Sequence, residues 1–402
     1  MAQCAFLLTD MFMPSSLPTV TLIPAREKSL FQGHPWIFPK AIESMSATPE
    51  TGELVQVAGQ KGEFLALGVY NAHSLYRVRV LAQAGEECAS LRAIVEQKLL
   101  NASRLRTSLQ LPSPATTAYR EFNSEGDGLS GLVIDRFGDV VVVAAFAFWV
   151  QKHRSLIEEC IREILKPASL IWKPQQKPLA QDGWDGDIDT SCSGQARVME
   201  EGVLFDVDFS DAQKTGLFLD QRENHLRIGA LARGKRVLDL YTYSGGFALH
   251  AARNGAASVT AIDSSAPAIA KARANAENNG ITSIEFIEDD ARNWLARAGD
   301  FDLIILDPPK LVPSRRHLEK ARNYYRYLHR EVFRAMKPGS LLMTCNCSSA
   351  MDIRAFEELV SLQASHVGRQ ARIHGIFGPA ACHPTLAFFP EGQYLGAILL
   401  SV

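Results

Sequence analysis

Val237-Leu238-Asp239-Leu240-Tyr241-Thr242-Tyr243-Ser244-Gly245-Gly246-Phe247 is an apolar run closed by an acid, a polar turn and two glycines. Residues apolar on both faces suit a parallel strand covered on both sides, so Arg236 to Leu240 is expected to be a buried strand. The glycines let the chain turn sharply and bring backbone close to a ligand. A helix is expected next, over Gly246 to Asn254, and the alternation then repeats. Further strands are expected at Ser258 to Ile262, Ile284 to Ile287, Leu303 to Leu306 and Ser340 to Thr344. Further helices are expected at Ala266 to Asn279, Ala291 to Ala298 and His317 to Met336. Strand and helix in this order make an α/β domain with a doubly wound, Rossmann-like sheet, occupying 199–402. A last apolar pair, Thr385 to Phe389 and Tyr394 to Val402, predicts a terminal hairpin.

In such a sheet a ligand lies across the carboxyl ends of the strands. Three acids fall there: Asp239, Asp263 and Asp290. The glycine pattern is not GxGxxG, so a dinucleotide is disfavoured. S-adenosylmethionine has no phosphate to cradle. It needs a carboxylate near its ammonium and sulfonium, one at its ribose and one at its adenine amine. Asp239, Asp263 and Asp290 suit those duties in that order, with Tyr241, Gly245, Gly246 and Phe247 on the same turn. Any one of these acids alone reads as a helix cap or strand end; the ordered set points to this cofactor.

Leu303-Ile304-Ile305-Leu306-Asp307-Pro308-Pro309-Lys310 is an apolar strand stopped by two prolines, which fix φ and carry no N–H. They stiffen a loop that presents Asp307 at the sheet's edge, where its carboxylate can accept a hydrogen bond from an exocyclic amine. The next strand ends Met343-Thr344-Cys345-Asn346-Cys347-Ser348-Ser349. In an extended chain Cys345 and Cys347 point to one side. A buried strand cysteine is usually an inert small hydrophobe, but this loop neighbours Asp307 in the usual strand order.

Working outward, 1–20 reads as an extension without the basic region of a signal peptide. Residues 21–85 hold short strands, Glu53 to Val57, Phe64 to Tyr70 and Tyr76 to Leu81, and read as a small β-barrel. Residues 86–198 read as a central α+β unit. Its helices are Ser90 to Ser108 and Lys152 to Leu165. Its hairpin joins Gly131 to Asp135 and Val140 to Phe148, and Ser169 to Trp172 adds a strand. Lys173 to Ser193 reads as a linker. The 402 residues are 47% hydrophobic and 21% charged, with a formal net charge of −2, and no apolar run is long enough to span a bilayer. Seven scattered cysteines without a CxxC pair argue against a disulfide framework and a structural zinc, so no metal is expected and a reducing cytoplasmic compartment is. Near-neutral charge requires any RNA-binding surface to be local. Lys28, Arg77, Arg79, Arg120, Arg315 and Arg316 are candidate phosphate contacts, and Trp36 and Phe38 are expected in the barrel core.

At several of these points the sequence resembles the bacterial 23S ribosomal RNA large subunit methyltransferase I type family, cytosine-5 methyltransferases with an N-terminal PUA domain. The resemblance runs through Arg26-Glu27-Lys28-Ser29-Leu30, His34-Pro35-Trp36-Ile37-Phe38, Gly126-Asp127-Gly128-Leu129 and Ile134-Asp135-Arg136-Phe137-Gly138. It continues in Lys214-Thr215-Gly216, Leu219-Asp220-Gln221-Arg222, the Gly245 turn, Asp307-Pro308-Pro309-Lys310, Cys347-Ser348, His383-Pro384 and Pro390-Glu391-Gly392. It implies a PUA-like RNA-binding domain, ribosomal RNA as partner and S-adenosylmethionine as cofactor. It further implies Cys347 as nucleophile, Asp307 as the residue holding cytosine, and cofactor contacts from Lys214, Gln221 and the Gly245 turn. A second cysteine in this loop departs from the family's usual single one and keeps Cys345 as an alternative. Three other readings stay open: an exocyclic N-methyltransferase on a ribosomal purine, a non-catalytic cofactor-binding assembly factor, and a small-molecule methyltransferase, against which the extra N-terminal domain argues. A homodimer is compatible with the sequence.

Overall fold

The computed structural model describes residues 17–86, 89–210, 216–310 and 318–402. Lys214, Arg315 and Arg316 lie outside them.

The N-terminal unit is a six-stranded sheet, in the order β2-β6-β5-β4-β1-β3. Its strands are β1 (Thr19–Leu22), β2 (Trp36–Ile37), β3 (Ile42–Met45), β4 (Leu54–Ala58), β5 (Phe64–Tyr70) and β6 (Val78–Gln83), with α1 (Pro24–Phe31) after β1. Val20, Leu22, Val55, Val57 and Val78 fill its core. The remaining apolar side chains of β5 and β6, Leu67, Val69, Leu81 and Ala82, pack instead against the central unit. That unit contains α2 (Leu91–Ser108), β7 (Ala118–Asn123), β8 (Leu132–Phe137), β9 (Val140–Ala145), α3 (Phe148–Lys152), α4 (Arg154–Leu165), β10 (Ser169–Pro174) and α5 (Gln176–Gln181). The Ser90 hydroxyl caps α2 by accepting from Ala93 N at 3.1 Å.

The polar stretch expected to be a linker, Lys173 to Ser193, carries α5, which is followed by a buried acid. Asp182 accepts from the Arg79 guanidinium at 3.1 Å and from Phe148 N at 3.0 Å. Arg79 also donates to Ser130 Oγ at 2.7 Å. Arg79 is therefore an interior clamp between the first two units and not a phosphate contact. Arg120 is likewise turned inward, onto Asp135 at 2.5 Å. Composition misled at both places because buried charges survive only as pairs that composition does not reveal. Trp36 is half-buried and docks the first unit on the rest: its indole N–H donates to Ser130 Oγ at 2.9 Å, and its ring stacks on Tyr76 at 3.8 Å and meets Phe389 edge-on at 4.7 Å. Phe38 is 40% exposed and does not join the core.

A hairpin of β11 (Gln195–Glu200) and β12 (Val203–Asp208) leads into the C-terminal domain. Its elements are α6 (Arg222–Ala232), β13 (Arg236–Leu240), α7 (Gly246–Arg253), β14 (Ser258–Asp263), α8 (Ala266–Asn278), β15 (Ile284–Glu288), a 3₁₀ segment (Ala291–Asp300), β16 (Leu303–Leu306), α9 (Leu318–Ala335), β17 (Leu341–Cys347), α10 (Ile353–His366), β18 (Arg372–Phe377) and β19 (Leu395–Ser401). The seven strands are ordered β15-β14-β13-β16-β17-β19-β18, with β19 antiparallel between β17 and β18. Strand alternation sends Val237, Ile305, Met343 and Cys345 to a face covered by α6, α7 and α8, and Leu238, Ile304, Leu306 and Leu342 to one covered by α9 and α10. Each such side chain contributes roughly 1.5–3 kcal/mol on full burial. The expected terminal hairpin is corrected. β19 pairs with β18, whereas Thr385 to Phe389 is irregular, because Pro384 and Pro390 bracket it and restrict the chain around them. β18 escaped notice because its side chains are mostly exposed and lack an apolar run.

Candidate active site

The turn after β13 is conformationally costly. Tyr241, Tyr243 and Gly245 all take positive φ, at 69°, 51° and 90°. For tyrosine each such conformation costs of order 1 kcal/mol, so the surroundings must impose it. Two carboxylates do so. Asp239 Oδ2 accepts from Thr242 Oγ1 at 2.6 Å and from Ala248 N at 3.1 Å, in the first turn of α7. Asp263 accepts from Tyr243 N and from Ser265 N, both at 2.9 Å. Asp239 is fully buried and its Oδ1 has no partner among the described residues. Burial pushes its carboxyl up to about 6, against the opposing pull of the Thr242 hydroxyl and the nearby His225.

Across the sheet, Asp307 follows β16 and accepts from Gln221 Nε2 at 3.0 Å. Gln221 Oε1 in turn accepts from Asn224 Nδ2 at 2.7 Å, so the amide is fixed at both ends. Burial, then the negative Asp220, pushes Asp307 up to about 7. In the β16–β17 register Leu306 faces Thr344, which brings Asp307 level with the end of β17 where both cysteines lie. They differ in setting. Cys345 is fully buried in the core, and burial followed by the charge of Asp307 drives its thiol well above the ordinary range. Cys347 is half-buried at the strand's last position. The Tyr325 hydroxyl of α9 donates to Asn346 Oδ1 at 3.4 Å, between the two cysteines in sequence, and burial, then Cys347 and Asp307, raise its phenol.

Asp290 caps the 3₁₀ segment by accepting from Arg292 N at 2.9 Å, and its carboxylate is gripped by the Arg292 guanidinium. It sits beyond β15, and the Tyr241 hydroxyl closes that end of the turn against Tyr324 at 3.1 Å. The structure thus gathers Asp239, Tyr241, Gly245, Gly246, Phe247 and Asp263 about one turn. It joins Gln221 and Asp307 beside it, with Cys345 next to both and Cys347 two residues further along β17, and places Asp290 at the rim. Sequence reading missed Asp220, which accepts from Tyr394 OH at 2.8 Å, and a buried group of Glu200, His225 and His250. No motif spacing links these residues; only the quoted Asp220-Gln221 pair was a signal.

An unpaired buried carboxylate oxygen and a strained turn held by acids suit a cationic, phosphate-free ligand such as S-adenosylmethionine. Asp263 still has lone pairs to accept from ribose hydroxyls, since a carboxylate offers about four acceptor sites. Asp263→Ala should therefore weaken binding of S-adenosylhomocysteine (SAH) by about 1–3 kcal/mol. Calorimetric titration measures it, and unchanged affinity in a folded variant would remove Asp263 from the site.

The PUA-like domain family matches residues 20–83. The S-adenosylmethionine-dependent methyltransferase family matches residues 188–368. Among relatives, the ribosomal RNA large subunit methyltransferase I of Aeromonas hydrophila is 33% identical over 393 residues, 95% of this chain and 98% of that one. The protein of the same name from Klebsiella pneumoniae is 32% identical over 394 residues, 95% and 97% of the two chains. Two solved structures share the fold at 20% identity over 96% of this chain and all of theirs. One is a Streptococcus mutans chain described as a SAM-dependent methyltransferase, with TM-score 0.79, and the other a methyltransferase complexed with SAH, with TM-score 0.80.

Proposed function

This chain belongs to the ribosomal RNA large subunit methyltransferase I family and uses S-adenosylmethionine, and from that premise we propose that it methylates C5 of a cytosine in large-subunit ribosomal RNA through a covalent enzyme–base adduct. The observation that carries this reading is the half-buried Cys347 at the end of β17, two residues beyond the fully buried Cys345 on the strand next to Asp307. Cytosine C5 is a weak nucleophile. Addition of the Cys347 thiolate to C6 makes C5 enamine-like, and the base then needs a proton at N3. Asp307, poised near neutrality, can give that proton, while its other oxygen accepts from the exocyclic amine. Gln221 holds the Asp307 carboxyl in place. S-adenosylmethionine supplies the electrophilic methyl group. C5 takes that methyl as its bond to sulfur breaks and S-adenosylhomocysteine departs; C5 then loses its hydrogen as a proton to solvent, the C6–S bond breaks, Cys347 leaves as thiolate, and N3 returns its proton to Asp307.

The PUA-like domain exposes Lys28 on α1 and Phe38 and Lys40 just after β2, which supports RNA docking there. Such binding weakens as salt rises, because phosphate contacts release counterions. The test of the function is incubation of protein, S-adenosylmethionine and RNA carrying 5-fluorocytidine, which has no C5 proton to lose. A trapped protein–RNA adduct is expected. Methylation without any adduct, on an exocyclic amine, would replace this reading with the N-methyltransferase one, for which Asp307-Pro308-Pro309 would serve equally.

A further inference from the structure

We propose that Glu200, His225 and His250 form a structural metal site, suited to zinc, buried beneath the turn that carries Gly245, Gly246 and Phe247. It lies outside the residues assigned to methyl transfer, and it does not depend on the cytosine-5 chemistry.

Three elements meet there. Glu200 ends β11, His225 lies on α6 and His250 on α7, and all three side chains are buried. Each offers one ligand atom, and the three atoms lie within 4.8 Å of one another. His250 Nε2 stands 3.3 Å from Glu200 Oε1. Donors held at about 2.0–2.1 Å by a tetrahedral zinc stand about 3.3 Å apart, so this pair already has the separation required. His225 Nδ1 is closer, 2.7 Å from the same oxygen, which is a hydrogen-bond length. An entering ion displaces the proton of that bond and needs the two atoms to part by about 0.6 Å, a small turn of the carboxylate. The cysteine spacings that argue against a structural zinc have no bearing on two imidazoles and a carboxylate, which are themselves a recurring zinc set.

His250 is the observation that points to an ion. Its ring is buried, and neither Nδ1 nor Nε2 has a hydrogen-bond partner among the described residues. Nε2 is near Glu200 but is not aligned to bond with it. Buried polar nitrogens are costly to leave without partners, and a metal ion takes up Nε2. Glu200 adds a second, independent observation. A buried carboxylate is paired with a cation or coordinates a metal. Among the described residues its ion-pair partners are the two imidazoles alone. The Arg222 guanidinium, on α6 with His225, is engaged by Glu201 at 2.8 Å and Glu223 at 3.5 Å. A divalent ion balances the carboxylate with both histidines neutral, the form that binds a metal. Its place gives the ion a structural duty. The His225 ring stands edge-on to Phe247 at 4.5 Å, and a Cβ on Gly246 would fall 2.5 Å from His225 Cε1. The ion therefore fastens β11 and α6 to the first turn of α7, directly under the cofactor turn.

The test uses the full chain without an affinity tag, stripped with a chelator and titrated with Zn²⁺ and, separately, with Co²⁺. One equivalent of zinc is expected to bind, and thermal unfolding should shift upward with zinc but not with magnesium. Bound cobalt should show the visible absorption of a four-coordinate site, without the near-ultraviolet sulfur-to-metal band that cysteine ligands such as Cys345 and Cys347 would produce. His250→Gln and Glu200→Gln, checked for folding by circular dichroism, should each weaken zinc binding by at least roughly 10–100-fold, the loss that follows from disturbing even a ligand's hydrogen-bond partner. Cys347→Ala should bind zinc like the wild type. No saturable zinc binding to the wild-type chain, a sulfur-to-metal band on the bound cobalt, or unchanged zinc affinity in both folded variants would each overturn the proposal and leave Glu200 and His225 as a hydrogen-bonded pair. The first two of these results need no substitution, so a misfolded variant cannot mask them.

Discussion

Cys347→Ala abolishes methyl transfer, by about 10⁴-fold or more, and leaves SAH affinity unchanged; this is the result expected if Cys347 forms the bond to C6. The expectation rests on the contrast between two thiols two residues apart on one strand. Cys345 is fully buried, with Gln221 and Asp307 near its thiol, and burial followed by the charge of Asp307 strongly disfavours an ionised sulfur there. Cys347 lies at the sheet's carboxyl edge, at the level where the strand leaves the core. A reactive cysteine needs partial exposure and access to its thiolate. Cys345→Ala removes only a small buried sulfur and should retain most activity at some cost in stability. Paired assays of methyl transfer and SAH titration separate chemistry from cofactor binding. An inactive Cys345→Ala variant beside an active Cys347→Ala variant would move the nucleophile two residues upstream.

Asp307→Ala should cost roughly 10²–10⁴ in kcat, the range of a positioned proton donor. The pH profile adds a sign. Asp307 gives a proton only below about 7, where burial and Asp220 hold it protonated, whereas the thiolate is favoured as pH rises. Activity should therefore fall on the alkaline side as Asp307 ionises. Asp307→Asn keeps the hydrogen bonds but has no acidic proton, so its residual activity should lose that alkaline limb. A wild-type profile that keeps rising through pH 9, or an Asn variant with the limb intact, would assign the proton to another group. Tyr394 and Asp220, bonded at 2.8 Å, are the next candidates.

Local features of this fold were legible before any coordinates. Val237 to Phe247 declares a strand, a turn and a helix because each depends on near neighbours: apolar residues on both faces, glycines where φ turns positive, an acid to tie the loop. The same holds for Asp307-Pro308-Pro309, where prolines stop the strand. Features built from distant residues were not legible. Asp182 looked like part of a linker, yet it fixes Arg79 from 103 positions away. Glu200, His225 and His250 are spaced 25 positions apart in sequence and meet only once the hairpin β11–β12 docks on α6 and α7. Thr385 to Phe389 looked like a strand by composition, but its flanking prolines and the claim of β18 on β19 decide otherwise. Asp239 was expected to face the ligand. It also braces the turn from inside, a duty that a list of acids at strand ends does not disclose.

The atom that receives the methyl group distinguishes cytosine-5 chemistry from transfer to an exocyclic amine. Ribosomal RNA lacking the modification, incubated with the protein and isotopically labelled S-adenosylmethionine, is digested to nucleosides and analysed by mass spectrometry against synthetic standards. The label is expected in 5-methylcytidine, and it should vanish with Cys347→Ala. Label recovered in an N-methylated purine, or in 5-methylcytidine at an undiminished rate from Cys347→Ala, would contradict the mechanism.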